Sequence, residues 1–306
     1  MVLKQMKIEV NNAVFSLPYH VAKEEGFYEE EGLDVELVRA GSGRNRDKEV
    51  PQVPIEDHTQ VPSYGWHEGI EKGEFAMYRA CEWGQIRRTQ DSCQDVRVLS
   101  KRSSVATQAI VVRPDSPYQI PMDLKDKLVA VNMHAGSHYI SLSMLGGYLG
   151  KEHTRVGHVG GPKQRLKFLE DGKVDAIAIM EPWITVSTKL GYRIISEAFY
   201  DGAEVADPSV DSDLFDAVNR ALNKAVIKLN TGDGVKPYLK YMISEVPKDI
   251  CMLTEEDFYL PRFRYLQVPR YYTPEEYGQI QDWMVDWGLL EVDSVYDKII
   301  EGRKTA

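Results

Sequence analysis

Leu169-Glu170-Asp171-Gly172-Lys173-Val174-Asp175-Ala176-Ile177-Ala178-Ile179-Met180-Glu181-Pro182-Trp183 carries one full step of an alternating α/β chain. Upstream of it, Pro162 to Glu170 reads as a helix with Pro near its start. Val174 to Met180 is an apolar run of strand length. Trp183 to Leu190 then reads as the next helix. Working outward, the same alternation recurs on both sides. Leu128 to Val131 is a buried strand, Ser137 to Leu149 a helix and Val156 to Val159 a strand. Lys7 to Val10 and Leu33 to Val38 are strands flanking a helix from Pro18 to Gly26. Further short strands are expected at Phe75 to Tyr78, Val96 to Leu99, Gln108 to Val112 and Tyr192 to Ile195. Beyond Asp213 helices dominate, with Thr273 placed to cap one that starts at Pro274. Strands alternating with helices imply parallel sheets covered on both faces, with ligands at the carboxyl ends of the strands.

The length of 306 residues suits two lobes rather than one core. The expected division is residues 1–107 plus 198–306 for one lobe and 108–197 for the other. A formal charge of -10 argues against a phosphate backbone as partner. No apolar run reaches the roughly 20 residues that span a bilayer, so no membrane insertion is expected. Cys81, Cys93 and Cys251 are odd in number and widely spaced, which points to neither a disulfide framework nor a zinc site. The start, Met1-Val2-Leu3-Lys4-Gln5, lacks a secretory pattern, and a cytoplasmic protein is expected.

Three patterns together resemble a known family. They are Pro18-Tyr19-His20-Val21-Ala22-Lys23-Glu24-Glu25-Gly26-Phe27-Tyr28 with Glu31-Gly32-Leu33-Asp34-Val35, then Asp115-Ser116-Pro117 running to Asp123-Leu124-Lys125-Asp126-Lys127-Leu128, and the stretch from Leu169 to Trp183. The chain is similar over residues 4 to 290 to the type 2 periplasmic-binding fold, in the branch of sulfonate-, taurine- and nitrate-binding proteins and thiamine-pyrimidine synthases. The resemblance implies a two-lobed α/β protein with a ligand cleft between the lobes. Arg97-Val98-Leu99 and Gln108 to Pro117 also look like the hydroxybiphenyl sulfinate desulfinases, enzymes on this fold. Those use a cysteine just after the first strand, where Ala13 stands here, so cysteine chemistry does not carry over.

Several residues fall where such a cleft would lie. His58, Tyr64, Trp66 and His67 form a dense cluster after a long polar stretch, with imidazoles suited to proton transfer. Gly136, Ser137 and His138 open a helix directly after a buried strand, a junction that favours an anion. Glu181 ends a buried strand and is a candidate base. Asn11, Asn12, Arg79 and Trp183 are candidate ligand contacts, Arg79 through a bidentate grip on an anion. Histidine spacing gives no metal motif, and no cofactor is expected. The leading expectation is a cytoplasmic hydrolase or lyase acting on a small polar or aromatic, anionic compound by acid–base catalysis. His58 or His67 would move the proton, with Tyr64 and Glu181 assisting and Trp66 and Trp183 clamping the ligand. The alternative is the substrate-binding protein of an ABC importer, with a permease as partner.

Overall fold

The computed structural model describes residues 3–39, 51–63, 67–92, 96–292 and 294–301. Strand β1 (Lys4–Val10) leads through a 3-10 turn at Val14–Ser16 to helices α1 (Leu17–Glu24) and α2 (Phe27–Glu30), then to β2 (Leu33–Arg39). Helix α3 (His67–Glu71), β3 (Met77–Cys81), α4 (Glu82–Asp91) and β4 (Arg97–Lys101) follow. In β2, Leu33 and Val35 are buried while Asp34 and Glu36 are exposed, the alternation of a strand with one covered face. The chain crosses at Arg102 and Ser103 into β5 (Ser104–Val112). It continues through β6 (Leu128–Val131), α5 (Gly136–Gly146), β7 (Arg155–His158), α6 (Pro162–Glu170), β8 (Ala176–Ile179), α7 (Trp183–Lys189) and β9 (Arg193–Tyr200). A second crossing at Asp201 reaches β10 (Gly202–Ala206). Helices α8 (Ser212–Leu229) and α9 (Leu239–Glu245), the short strand β11 (Arg264–Tyr265), α10 (Pro274–Asp286) and α11 (Tyr296–Ile299) complete the described chain.

Two sheets result, in the order β2-β1-β3-β10-β4 and β11-β5-β8-β6-β7, with β9 also paired to β5. Both are mixed rather than parallel. Strand β10 runs antiparallel to β3 and β4, and β5 antiparallel to β8 and β9. The reversal follows from the crossings. Strand β9 enters the second crossing directly, and β10 leaves it without a helix, so β10 returns to the first sheet in the opposite sense. The sequence reading stopped a strand at Ile195 and placed none at Gly202–Ala206, although β10 is buried at every position. The lobe boundaries expected at 107/108 and 197/198 fall inside β5 and β9.

The stretch from Leu169 to Trp183 shows how local rules position the cleft. After α6, Gly172 takes φ 68, which a side chain disfavours. Its N–H donates to the Leu169 carbonyl at 3.2 Å and that of Lys173 to Phe168 at 2.9 Å, closing the helix in a Schellman motif. Asp175 then accepts from the Leu128 amide and from the Tyr118 hydroxyl, both at 2.9 Å, fixing β8 beside β6. Ala176 to Ile179 are all buried, so this strand is covered on both faces and must end with its polar residue, Glu181, at the sheet edge that faces the other lobe. At the far end of the chain, Thr273 caps α10 through the Glu276 amide at 3.1 Å, with Glu276 reciprocating as a capping box.

Candidate functional site

The residues singled out in the sequence occupy different kinds of place. Tyr64 and Trp66 lie outside the described residues. His67 is fully buried on α3, with its Nδ1 at 2.7 Å from the Tyr78 hydroxyl and its Nε2 at 3.5 Å from Thr89 Oγ1. Burial and the nearby Arg88 push its pKa down to about 3. Asn11 closes the turn after β1. Its side chain accepts from the Ala13 amide at 3.0 Å and from Ser16 Oγ at 2.8 Å. Asn12 reaches Ser244 at 3.2 Å. Arg79 is 1% exposed and is held by the Glu9 carboxylate at 2.6 Å, by the Glu9 carbonyl and by Ser16 Oγ. Its guanidinium sits 5.3 to 5.4 Å from the Tyr19 and Phe15 ring centroids. Glu181 accepts from the Thr185 amide (3.1 Å), the Thr185 hydroxyl (2.7 Å) and Arg262 Nη1 (3.2 Å), while burial raises its pKa. Trp183 is buried at the first turn of α7.

The start of α5 and His58 come together. Ser137 Oγ accepts from the Asn132 amide at 2.9 Å, and His138 Nδ1 accepts from the His134 amide at 3.3 Å, so both side chains close the β6–α5 turn. His134 Nε2 meets the His58 carbonyl at 2.9 Å. The His138 amide goes to the Ala135 carbonyl at 2.9 Å. Gly136 and Ser137 are the first two helical positions, whose N–H groups have no intrahelical acceptor. A Cβ on Gly136 would stand 2.5 Å from the Tyr200 hydroxyl, so glycine is needed for α5 to approach β9 this closely.

Tyr200 is the node of a second set of residues that the sequence reading passed over. Arg102, at the first crossing, lies 5.1 Å from the Tyr200 ring centroid and 4.9 Å from that of Phe15. It donates to the carbonyls of Ser104 (2.7 Å) and Tyr200 (3.5 Å), and its Nη1 has no partner. Arg165 of α6 is 1% exposed. It donates to the Ala178 carbonyl, its Nε has no partner, and Tyr200 lies within its electrostatic reach. Burial lowers its pKa to about 9. Gln108 is fully buried with both amide atoms unpartnered. Gln108 pairs with Ala198, and Ala106 with Tyr200, so Gln108 and Tyr200 project from the same face. Trp83 stacks on Tyr200 and Tyr139 at 5.8 and 5.9 Å. Neither Arg102 nor Arg165 has a carboxylate partner among the described residues, whereas Arg79 and Arg262 do. A buried guanidinium without a counter-ion is a costly arrangement, and it is Arg165 that stands in it, whereas Arg102 lies within electrostatic reach of Glu204 and Glu82. Both guanidiniums and the start of α5 converge on Tyr200.

The architecture defines a class: two mixed α/β lobes joined by strand crossings, the periplasmic-binding-protein fold. The chain aligns with the alkanesulfonate-binding protein SsuA of Xanthomonas axonopodis pv. citri bound to MOPS, with a TM-score of 0.70 and 17% identity over 97% of this chain and 99% of that one. It aligns with the periplasmic nitrate-binding protein NrtA of Synechocystis with a TM-score of 0.62 and 16% identity, over 97% and 84% of the two chains. The desulfurization enzyme DSZB gives a TM-score of 0.56 and 14% identity over 94% and 93%. At such identities the likeness is one of fold. No protein-family model and no curated protein matches the sequence.

These comparisons correct the leading expectation. The cytoplasmic hydrolase or lyase rests on the desulfinase likeness, the sequence start and the His58, Tyr64, Trp66 and His67 cluster, but the stronger likenesses are to sulfonate- and nitrate-binding proteins, and the enzyme is the weakest of the three. The cytoplasmic location fails with it, since a nitrate-binding neighbour is periplasmic. Among the described residues no helix is long and apolar enough to cross a membrane.

Proposed function

We propose that this chain is the substrate-binding protein of an ABC importer, working outside the cytoplasmic membrane and holding a small anion of the sulfonate or nitrate class between its lobes. The observation that carries this reading is the pair Arg102 and Arg165, both buried and both without a carboxylate partner among the described residues. An anion supplies the counter-charge that Arg165 lacks among the described residues and gives Arg102, which Glu204 and Glu82 reach only at longer range, a direct partner. Arg165 and the first amides of α5 would hold it from the second lobe, and Arg102 from the crossing between lobes, so that binding favours the closed form. Gln108, with two unpaired donors and one carbonyl oxygen, suits the remaining polar atoms of the ligand. The aromatic set Trp83, Tyr139 and Tyr200 gives the site an apolar wall. The likeness to sulfonate- and nitrate-binding proteins supports the ligand class and the permease as partner.

The test is calorimetric titration with nitrate, methanesulfonate and benzenesulfonate, followed by recovery of the ligand. One of these should bind at micromolar strength or better and be returned chemically unchanged. Absence of binding across the anion panel, or turnover of the bound compound, would refute the reading.

A further inference from the structure

Residues 51–63 belong to neither sheet, yet they are fastened to the second lobe. Ile55 and His158 exchange backbone hydrogen bonds at 3.2 and 2.8 Å, adding an antiparallel bridge to the free edge of β7. Pro54 packs on Gly157, where a Cβ would stand 2.8 Å away. Glu56 and Arg155 form a two-pronged ion pair at 3.0 and 2.7 Å. The segment comes from β2 and returns to α3, both of the first lobe, so it is a strap thrown from one lobe over the other. At its end, Arg88 of α4 donates to the Ser63 carbonyl at 3.1 Å and also to the His134 carbonyl, tying α4, strap and α5 at one point.

Where the strap meets α5, three imidazoles collect. The ring centroids of His58 and His134 are 5.8 Å apart, those of His58 and His138 6.3 Å, and those of His134 and His138 5.9 Å. His134 holds a left-handed backbone, φ 57, that costs energy for a residue with a side chain. That conformation turns its carbonyl to Arg88 and its ring to the His58 carbonyl.

We propose that residues 54–58 latch the second lobe against the first, and that the His58–His134–His138 cluster makes this latch release on acidification.

Burial and the cations around the cluster favour neutral rings, while Asp57 acts in the opposite sense on His58. From α4 come Arg87 and Arg88, both cationic, with Asp91 already paired to Arg87 at 2.8 Å and bound to Ser63. On the strap, Asp57 is turned to Thr59 and Gln60. His158 of β7 contributes a fourth imidazole and Tyr139 of α5 a neutral phenol. The positive end of α5 adds to the same sign. Accordingly burial, and then the neighbouring imidazoles, hold His138 down at about 3. Burial similarly holds His134 down at about 4. The sign follows directly. With the strap docked these rings bind fewer protons than solvated imidazole, whose pKa is about 6.5. Docking is therefore unaffected above that value and weakens as pH falls below it. Each ring freed on opening weakens the latch by about fivefold between pH 6.5 and 5.5.

The experiment is hydrogen exchange on the intact, ligand-free chain from pH 7.5 to 5.0, corrected for intrinsic rates, reading the amides of Ile55 and His158. Their protection should fall about tenfold or more across that range while Ile110 in β5 stays protected. In the triple variant His58→Asn/His134→Asn/His138→Phe the protection should change by less than threefold over the same range. Imidazole NMR titration of the unmodified protein supplies a reading independent of any variant. The His134 and His138 signals should shift only in step with loss of strap protection. Strap amides that stay protected to pH 5.0, a triple variant as pH-sensitive as the parent, or buried imidazoles that titrate with the strap still docked would each overturn the proposal.

Discussion

Replacing Arg165 by Met separates a ligand-binding arginine from a structural one, because the two roles predict opposite signs. Burial moves this guanidinium well below its ordinary value, to about 9, so at neutral pH the folded protein carries the cost of a charge it does not solvate. At about 1.4 kcal/mol per pKa unit the cost is on the order of 4–5 kcal/mol. Arg165 is a base with a lowered folded-state pKa. The folded form binds fewer protons than the unfolded one only above about 9, so the penalty is fully present at pH 7. Met keeps the length and apolar stem but loses the hydrogen bond to the Ala178 carbonyl, which offsets about 1.5–3 kcal/mol. The ligand-free variant should therefore be more stable than the parent by roughly 1–3 kcal/mol. Chemical denaturation at pH 7.5 without added anion measures this. In the same preparation the variant should lose at least about 100-fold in affinity for the bound anion, the scale of an unpaired buried charge contact. It should also lose the ligand-dependent rise in Tm, which for the parent corresponds to about 2.7 kcal/mol at a hundredfold excess over Kd. A variant that is destabilised by more than 2 kcal/mol, or that keeps its anion affinity, would refute the argument.

Arg102→Lys keeps the charge but loses the planar stack between Phe15 and Tyr200, and calorimetry should show at least tenfold weaker anion binding. Gly136→Ala places a methyl group 2.5 Å from the Tyr200 hydroxyl and should cost about 1–3 kcal/mol in urea unfolding, with weaker anion binding as α5 is pushed back. Glu204 hydrogen-bonds Tyr19, and its pKa is raised to about 7, chiefly by burial, so the folded form binds the extra proton between about 4.5 and 7. Stability from this group is present at low pH and lost as pH rises through 7. Glu204→Gln should therefore raise stability at pH 8 by about 2–3 kcal/mol and leave it nearly unchanged at pH 4.5 when the two proteins are melted side by side.

The difference between what could and could not be read from the chain lies in where each signal is written. The stretch from Pro162 to Leu190 gave its helix, strand and helix nearly to the residue, because a Pro start and an unbroken apolar strand are local facts. Strand β10 escaped because Gly202-Ala203-Glu204-Val205-Ala206 has an acid at its buried centre, and the groups that make that tolerable, Tyr19, Arg79 and Arg102, come from elsewhere in the chain. The same holds for the site. Gly136 and Ser137 were legible as a helix start that leaves amides unused. Arg79 is expected just after a strand as a bidentate anion ligand, but it lies within β3 and the partner that takes up its charge, Glu9, comes from β1. Arg165, in Pro162-Lys163-Gln164-Arg165-Leu166-Lys167, looks like one more cation on a solvated helix, and its neighbours Lys163 and Lys167 are indeed exposed. One periodic clue was available. Arg165 falls one position before Leu166 and three before Phe168, on the apolar side of α6. A cation on the buried stripe of a helix, with no acid paired to it among the described residues, is the pattern on which the proposed anion site rests, and it becomes readable only when the charges of the fold can be paired off one by one.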